Sequence, residues 1–298
     1  MGKVISLINL KGGVGKTTTT VALAEFLTLE KRKKVLVIDL DPQTNATVML
    51  INQDAWKRAN DNKRTIHQMF LDKLNDTDYF DIYKSIIKGV SSIGGGIPDL
   101  HLLPSSIDLL DVQDRIPMIN QMNSFAQSPI TVLANYLTQQ IIDEYDYILI
   151  DCPPNLGVIT LNGIYLSDYY LIPVVADILS TYGIPQIKDR INKVSVNIKS
   201  INRSYNIKPL GIVITKYRMQ SRMHRETRDD LILRSKLAET DKRSVPQVFK
   251  VYVKETTRIS EATDIDVQIN TLKQKYGYSQ EVYDAYENIT NEFIRRVK

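Results

Sequence analysis

The chain of 298 residues holds a single cysteine, Cys152. One thiol excludes a disulfide framework and every metal site built on paired cysteines, and it fits a reducing compartment. Long hydrophobic runs are missing as well. No segment approaches the roughly 18 consecutive apolar residues that a membrane-spanning helix needs, so no membrane partner is expected. The N-terminus passes directly into a strand-like run, which predicts no secretory leader. No helix-turn-helix, zinc-finger or RNP pattern occurs, so any contact with nucleic acid should be largely independent of base sequence. The remaining composition, 43% hydrophobic and 24% charged, is that of a globular protein.

Net charge is only +4, but it is unevenly spread. Residues 180–260 carry 18 Lys and Arg against 7 Asp and Glu, while the rest of the chain carries 20 against 27. A basic third on an acidic body suggests a surface for a polyanion.

The chemistry is organised around Lys11-Gly12-Gly13-Val14-Gly15-Lys16-Thr17-Thr18. The apolar run Val4 to Asn9 precedes it and a helix-like segment, Thr17 to Leu29, follows it. Strand, glycine loop and helix form the context of a phosphate-binding loop. Consecutive backbone N–H groups and the positive end of the helix favour phosphate oxygens. Lys16 would reach the terminal phosphates, and Thr17 would offer its hydroxyl to magnesium. Two positions depart from G-x-x-x-x-G-K-[ST]: Leu10 stands where glycine is usual, and a second lysine, Lys11, precedes the glycines.

Two further apolar runs end in acids. Val35-Leu36-Val37-Ile38 leads to Asp39-Leu40-Asp41-Pro42, and Tyr147-Ile148-Leu149-Ile150 leads to Asp151-Cys152-Pro153-Pro154. Short β-branched runs of this kind read as buried parallel strands, at whose carboxyl ends chemistry gathers. Asp151 is placed to hold magnesium through water. Asp39 and Asp41 supply two carboxylates near the loop, one for the metal's water shell and one to orient an attacking water. Asp41 can also cap a helix starting at Pro42.

Elsewhere the pattern predicts helix-like pieces at 65–71 and 81–90, an amphipathic helix over 129–143, and a basic helix over 184–199 carrying Lys188. A buried strand is expected over 210–215. The run from Lys216 to Arg228 places Arg218, Arg222 and Arg225 near one helical face. A strand is expected over 248–253, and a final helix over 279–297 docked on the sheet. His101 alternates with leucines and reads as structural. Residues 52–99 offer no chemistry.

The loop Lys-Gly-Gly-Val-Gly-Lys-Thr-Thr resembles the deviant Walker A motif of the ParA/MinD family of ATPases. Asp39-Leu40-Asp41-Pro42-Gln43, the Asp151 strand and Arg258-Ile259-Ser260-Glu261-Ala262 are similar to its later motifs. The resemblance spans most of the chain and is closest to the short ParA subgroup. It implies a single doubly wound α/β domain over 1–298, with a mostly parallel sheet and helices on both faces. It also implies ATP and Mg2+ as cofactors, with Lys16 acting within its own subunit and Lys11 reaching the partner's nucleotide in a homodimer. Asp41 becomes the water-activating residue, with Asp39 beside the magnesium shell, and Thr215 and Lys216 lie near the adenine. Lys188, Arg218, Arg222, Arg225 and Arg258 are expected to meet non-specific double-stranded DNA. The implied function is a partner-stimulated partition ATPase, cytoplasmic and nucleoid-associated, whose partner is a ParB-like or other small centromere-binding protein. A MinD-like membrane regulator with an amphipathic tail, or a ParA-like positioning ATPase for another cargo, shares the motifs. A metal-cluster scaffold of the superfamily would need paired cysteines.

Overall fold

The computed structural model describes residues 1–116, 128–257, 269–277 and 282–298. Strand β1 (Lys3–Leu7) leads through the glycine loop into α1 (Lys16–Leu29), and β2 (Val35–Asp39) follows. The next elements are α2 (Asn45–Leu50), α3 (Gln53–Asp61), α4 (Ile66–Asn75), α5 (Ile82–Ser85), β3 (Ile87–Lys88) and β4 (Leu100–Leu103). They are followed by α6 (Leu109–Gln113), α7 (Val132–Tyr136), α8 (Gln139–Ile142), β5 (Tyr147–Asp151) and α9 (Val158–Leu166). Then come β6 (Tyr169–Val175), α10 (Ile178–Tyr182), α11 (Ile184–Ile201), β7 (Lys208–Thr215) and α12 (Arg222–Arg234). The last described helices are α13 (Leu272–Tyr276) and α14 (Val282–Arg296). No helix among the described residues is long and apolar enough to cross a membrane.

The strands form one sheet in the order β3-β4-β2-β5-β1-β6-β7. Every pairing is parallel except β3 with β4. This is the doubly wound, mostly parallel fold that the family resemblance implies. Continuous apolar strands such as β2, buried at every position, need helices on both faces. One face packs Phe70, Leu133, Ile159 and Ile187. The other packs α1 beneath α13 and α14, where Phe26 meets the rings of Tyr276, Tyr283 and Tyr286 at 5.1–6.1 Å. Tyr286, Ile289 and Phe293 of α14 are buried in that layer.

Parallel register sets Asp39 opposite Asp151, and Asp151 opposite Leu7. The two acids therefore lie level at the carboxyl ends of neighbouring strands, beside the loop that leaves β1.

Further along α1 lies a buried polar cluster. Glu25 of α1 accepts from Lys275 Nζ at 2.6 Å, Tyr276 OH at 2.7 Å and Ser91 Oγ at 2.6 Å. Both charged side chains of the pair are fully buried.

Several expected elements differ. Residues 129–143 break into α7 and α8, because the Asn162 side chain of α9 accepts from Leu133 N–H and donates to Pro129 O. These contacts fix the first turn of α7, and Thr138 starts a new helix. The helix expected over 81–90 stops at Ser85. Asp81 caps it through Tyr83 and Lys84 N–H, and edge pairing of Ile87 and Lys88 with Leu102 and His101 takes over. The strand expected over 248–253 makes only isolated bridges, Ile212 with Val248 and Tyr217 with Lys254. Arg296 donates to Leu210, Gln247 and Val248 carbonyls there, beside a register irregularity in β6 and β7. The final helix is described from Val282, and residues 278–281 lie outside the described set.

Candidate nucleotide site

The loop between β1 and α1 is held open by its surroundings. Gly13 and Gly15 adopt φ of 73° and 79°, a left-handed region that costs glycine little. Asn9 Nδ2 donates to Pro173 O at 2.7 Å, and its Oδ1 accepts from Lys11 N–H at 3.0 Å. Gly15 caps α1 and no side chain occupies that end, which leaves the first helical N–H groups for a ligand.

Thr17 Oγ1 donates to Asp151 Oδ2 at 2.7 Å, and Thr20 Oγ1 donates to Oδ1 at 3.2 Å. Lys16 Nζ folds back onto Lys11 O at 3.2 Å. A cavity of about 350 Å³ is lined by Gly12, Gly13, Gly15, Lys16, Thr17, Thr18, Asp41, Gln43, Asn45, Val48, Met49, Pro154 and Lys216. Phosphate-loop donors, the Thr17 hydroxyl and the Asp41 carboxylate thus converge on one space, with the Asp151 carboxylate behind Thr17. Thr17 and Asp151 present hard oxygen donors of the kind magnesium takes while keeping most of its water. Their chemistry fits that ion.

Burial lowers the Lys16 ammonium, while Asp151 and Asp41 partly offset it. Burial raises Asp41, against the Gln43 N–H bond and Lys16. Burial also raises Asp151, opposed by the Thr17 hydroxyl and reinforced by Asp41. Asp39 is raised by burial first and by Asp151 second. An acidic group of this kind, desolvated and crowded, favours a cation or a proton.

Two expected site residues sit behind the cavity rather than in it. Asp39 accepts from Asp41 N–H at 3.0 Å and from Thr47 N–H and Oγ1 at 2.9 and 2.7 Å. Its carboxylate holds the turn that presents Asp41 and does not line the cavity. Asp41 does not cap a helix at Pro42: its Oδ1 accepts from Gln43 N–H, its carbonyl accepts from Thr44 N–H, and α2 begins at Asn45. Thr215 Oγ1 donates to Val14 O at 2.7 Å and Val174 O at 3.0 Å. It pins the glycine loop to β6 and β7, while Lys216, with φ of 48°, faces the cavity. Cys152 is buried beside Asp151, and burial pushes its thiol up.

Lys11 lies at the loop's other side. Its Nζ reaches both Asp177 carboxylate oxygens at 3.3 Å and Ser180 Oγ at 3.0 Å.

The predicted DNA-facing residues do not form one row. Arg222 and Arg225 lie in the first turn of α12, where Arg222 pairs with Glu226 and Arg225 donates to Met219 O. Arg218 precedes the helix and pairs with Glu255, so it does not share their helical face. Lys188 of α11 donates to Glu239 O and Ser244 Oγ. Arg258 lies outside the described residues.

Sheet order, glycine loop and the Thr17–Asp151 pair define a P-loop nucleotide-binding protein. The family described as AAA domain, AAA_31, matches residues 2–207. Sporulation initiation inhibitor protein Soj of Bacillus subtilis is 30% identical over 263 residues, covering 88% of each chain. Chromosome-partitioning ATPase Soj of Treponema pallidum is 25% identical over 303 residues, covering 99% of this chain and 98% of its own. A candidate plasmid partition protein of Borrelia burgdorferi B31 bound to AMPPNP superimposes with a TM-score of 0.71 at 22% identity, covering both chains fully. The chain belongs to the ParA/MinD family of ATPases.

Proposed function

We propose that this chain is a DNA-partitioning ATPase. ATP with magnesium occupies the cavity, two subunits close face to face, and the dimer binds double-stranded DNA without sequence preference. Hydrolysis, stimulated by a ParB-like or other small centromere-binding partner, releases it. The observation that carries this reading is the meeting of Lys16, Thr17 and Asp41 in one cavity, with Asp151 behind Thr17, in a chain related to Soj.

Thr17 and Asp151 would hold magnesium, which when bound would neutralise charge on the phosphates. The protein's own residues do the rest. The loop N–H groups and Lys16 fix the phosphates in line. Asp41, steadied by the Asp39 turn, orients the attacking water. Lys11 of the partner adds positive charge where the transferred phosphoryl leaves. Closure sets basic residues of α11 and α12 from two subunits side by side, and avidity multiplies weak phosphate contacts. In this reading the protein is cytoplasmic and associated with the nucleoid. The same cycle could serve a ParA-like positioning ATPase for another cargo. A MinD-like membrane role is disfavoured, because the apolar side of α14 is buried against α1.

The test is DNA binding titrated with salt in ATP, in ADP and without nucleotide. Binding should require ATP and fall steeply with salt. Indifference to nucleotide, or to salt, overturns the reading. Asp41→Ala should retain ATP-dependent dimers and DNA binding while losing hydrolysis. Loss of nucleotide binding in that variant would refute the role given to Asp41.

A further inference from the structure

Lys11 is held within its own subunit. Its ammonium has three oxygen partners, Asp177 Oδ1, Asp177 Oδ2 and Ser180 Oγ, all within 3.3 Å. The acceptors are themselves fixed. Asp177 caps α10 by accepting from Ser180 N–H at 2.7 Å, and Ser180 Oγ donates to Asp177 Oδ2 at 2.8 Å. Partial burial raises the Asp177 carboxyl, but the Ser180 bonds and Lys11 outweigh it and hold it below the usual range. The helix it caps turns Ile178, Leu179 and Tyr182 to solvent, at 67%, 75% and 72% exposure. The Lys11 and Asp177 side chains are 40% and 20% exposed, so this is a semi-exposed ion pair and not a buried core contact.

We propose that Asp177 and Ser180 form an intrasubunit latch on Lys11, which must open in both subunits before the nucleotide-dependent dimer can form. The inference rests on the trans role proposed for Lys11 above. A lysine that must reach a second subunit cannot keep these three partners as well. The latch therefore opposes dimerisation until bound ATP offers Lys11 a stronger anion. Each dimer opens two latches, so the effect enters its dissociation constant as a square. A charge-assisted pair of this exposure shifts an equilibrium by about five-fold, which gives about 25-fold in the dimer constant once squared.

Asp177→Asn separates the latch from the fold, because asparagine still caps a helix but removes the charge that holds Lys11. The measurement is sedimentation equilibrium with ATP in the Asp41→Ala background, which prevents turnover. Asp177→Asn should tighten the dimer by about 25-fold, and Ser180→Ala, which removes one of the three partners, by a smaller factor in the same direction. Without nucleotide both variants should remain monomeric. If the parent chain stays monomeric with ATP, the sandwich reading fails, and the latch with it. If the parent dimerises and Asp177→Asn dimerises equally or more weakly, the latch alone is overturned. Should Asp177→Asn fail to fold, Ser180→Ala decides: an unchanged or weaker dimer refutes the latch.

Discussion

Lys275→Met tests whether the buried cluster on α1 is a true ion pair. Glu25 and Lys275 are both fully buried, and Glu25 has three donors: Lys275, Tyr276 and Ser91. Removing the lysine leaves a carboxylate in the core with two hydroxyl donors and no counter-charge. Breaking a buried pair from one side costs about 3–5 kcal/mol, a large share of the roughly 5–15 kcal/mol that holds a domain folded. The charge can then be neutralised by a second change. Tyr276 and Ser91 donate to different oxygens of Glu25. Glutamine keeps an acceptor for one hydroxyl and offers its amide N–H to the other, so Glu25→Gln with Lys275→Met should recover at least about 2 kcal/mol of that loss. Urea denaturation followed by circular dichroism at neutral pH measures all three chains. A loss below about 1 kcal/mol for Lys275→Met, or a double variant no more stable than the single one, would refute the argument.

Thr215→Val removes the hydroxyl that ties Val14 to Val174 while keeping side-chain volume. A lost buried bond of about 1–2 kcal/mol should weaken ATP binding by about 5–30-fold, read by fluorescent-nucleotide titration, and an unchanged affinity would show that the loop needs no such anchor. Lys16→Ala should abolish detectable ATP binding in the same titration, and retained affinity would defeat the phosphate-loop assignment. The raised Asp39 and Asp151 carboxyls give a pH dependence. Folded, they bind more protons than unfolded from the ordinary carboxylate range up through their raised values, so stability falls as pH rises across that window. Between about pH 7 and 8, above the ordinary histidine range, the metal-free protein should melt at progressively lower temperature, and Asp39→Asn should flatten the slope. A flat or rising profile for the parent chain would contradict the shifts.

Much of the site could be read along the chain because each part is local. A glycine loop after β1, and acids ending β2 and β5, are patterns of under ten residues. The parallel sheet then brings them together by register. What could not be read depends on residues far apart. Asp39 looked like a second metal carboxylate until Thr47 and the Asp41 backbone claimed its oxygens. Thr215, expected near the adenine, ends β7 and turns its hydroxyl to the back of the loop. The Glu25–Lys275 pair spans 250 positions, and only an acid on an otherwise apolar helix face hinted at it. The continuous helix over 129–143 failed because Asn162, on another helix, completes the first turn of α7.

The order of strands also dictates when the site can exist during synthesis. The loop is made well before its partners: β1 pairs with β5 and β6, and α1 is sealed by Lys275, Tyr276 and Tyr286. At the usual ribosomal rate of about 5–20 residues per second, the roughly 270 residues between loop and seal take on the order of 10–50 seconds. Such long-range closure makes folding slow and leaves apolar strands waiting for partners. A nascent chain therefore carries its nucleotide motif long before it has a pocket, and nucleotide recruitment waits for the residues of β7 and α14.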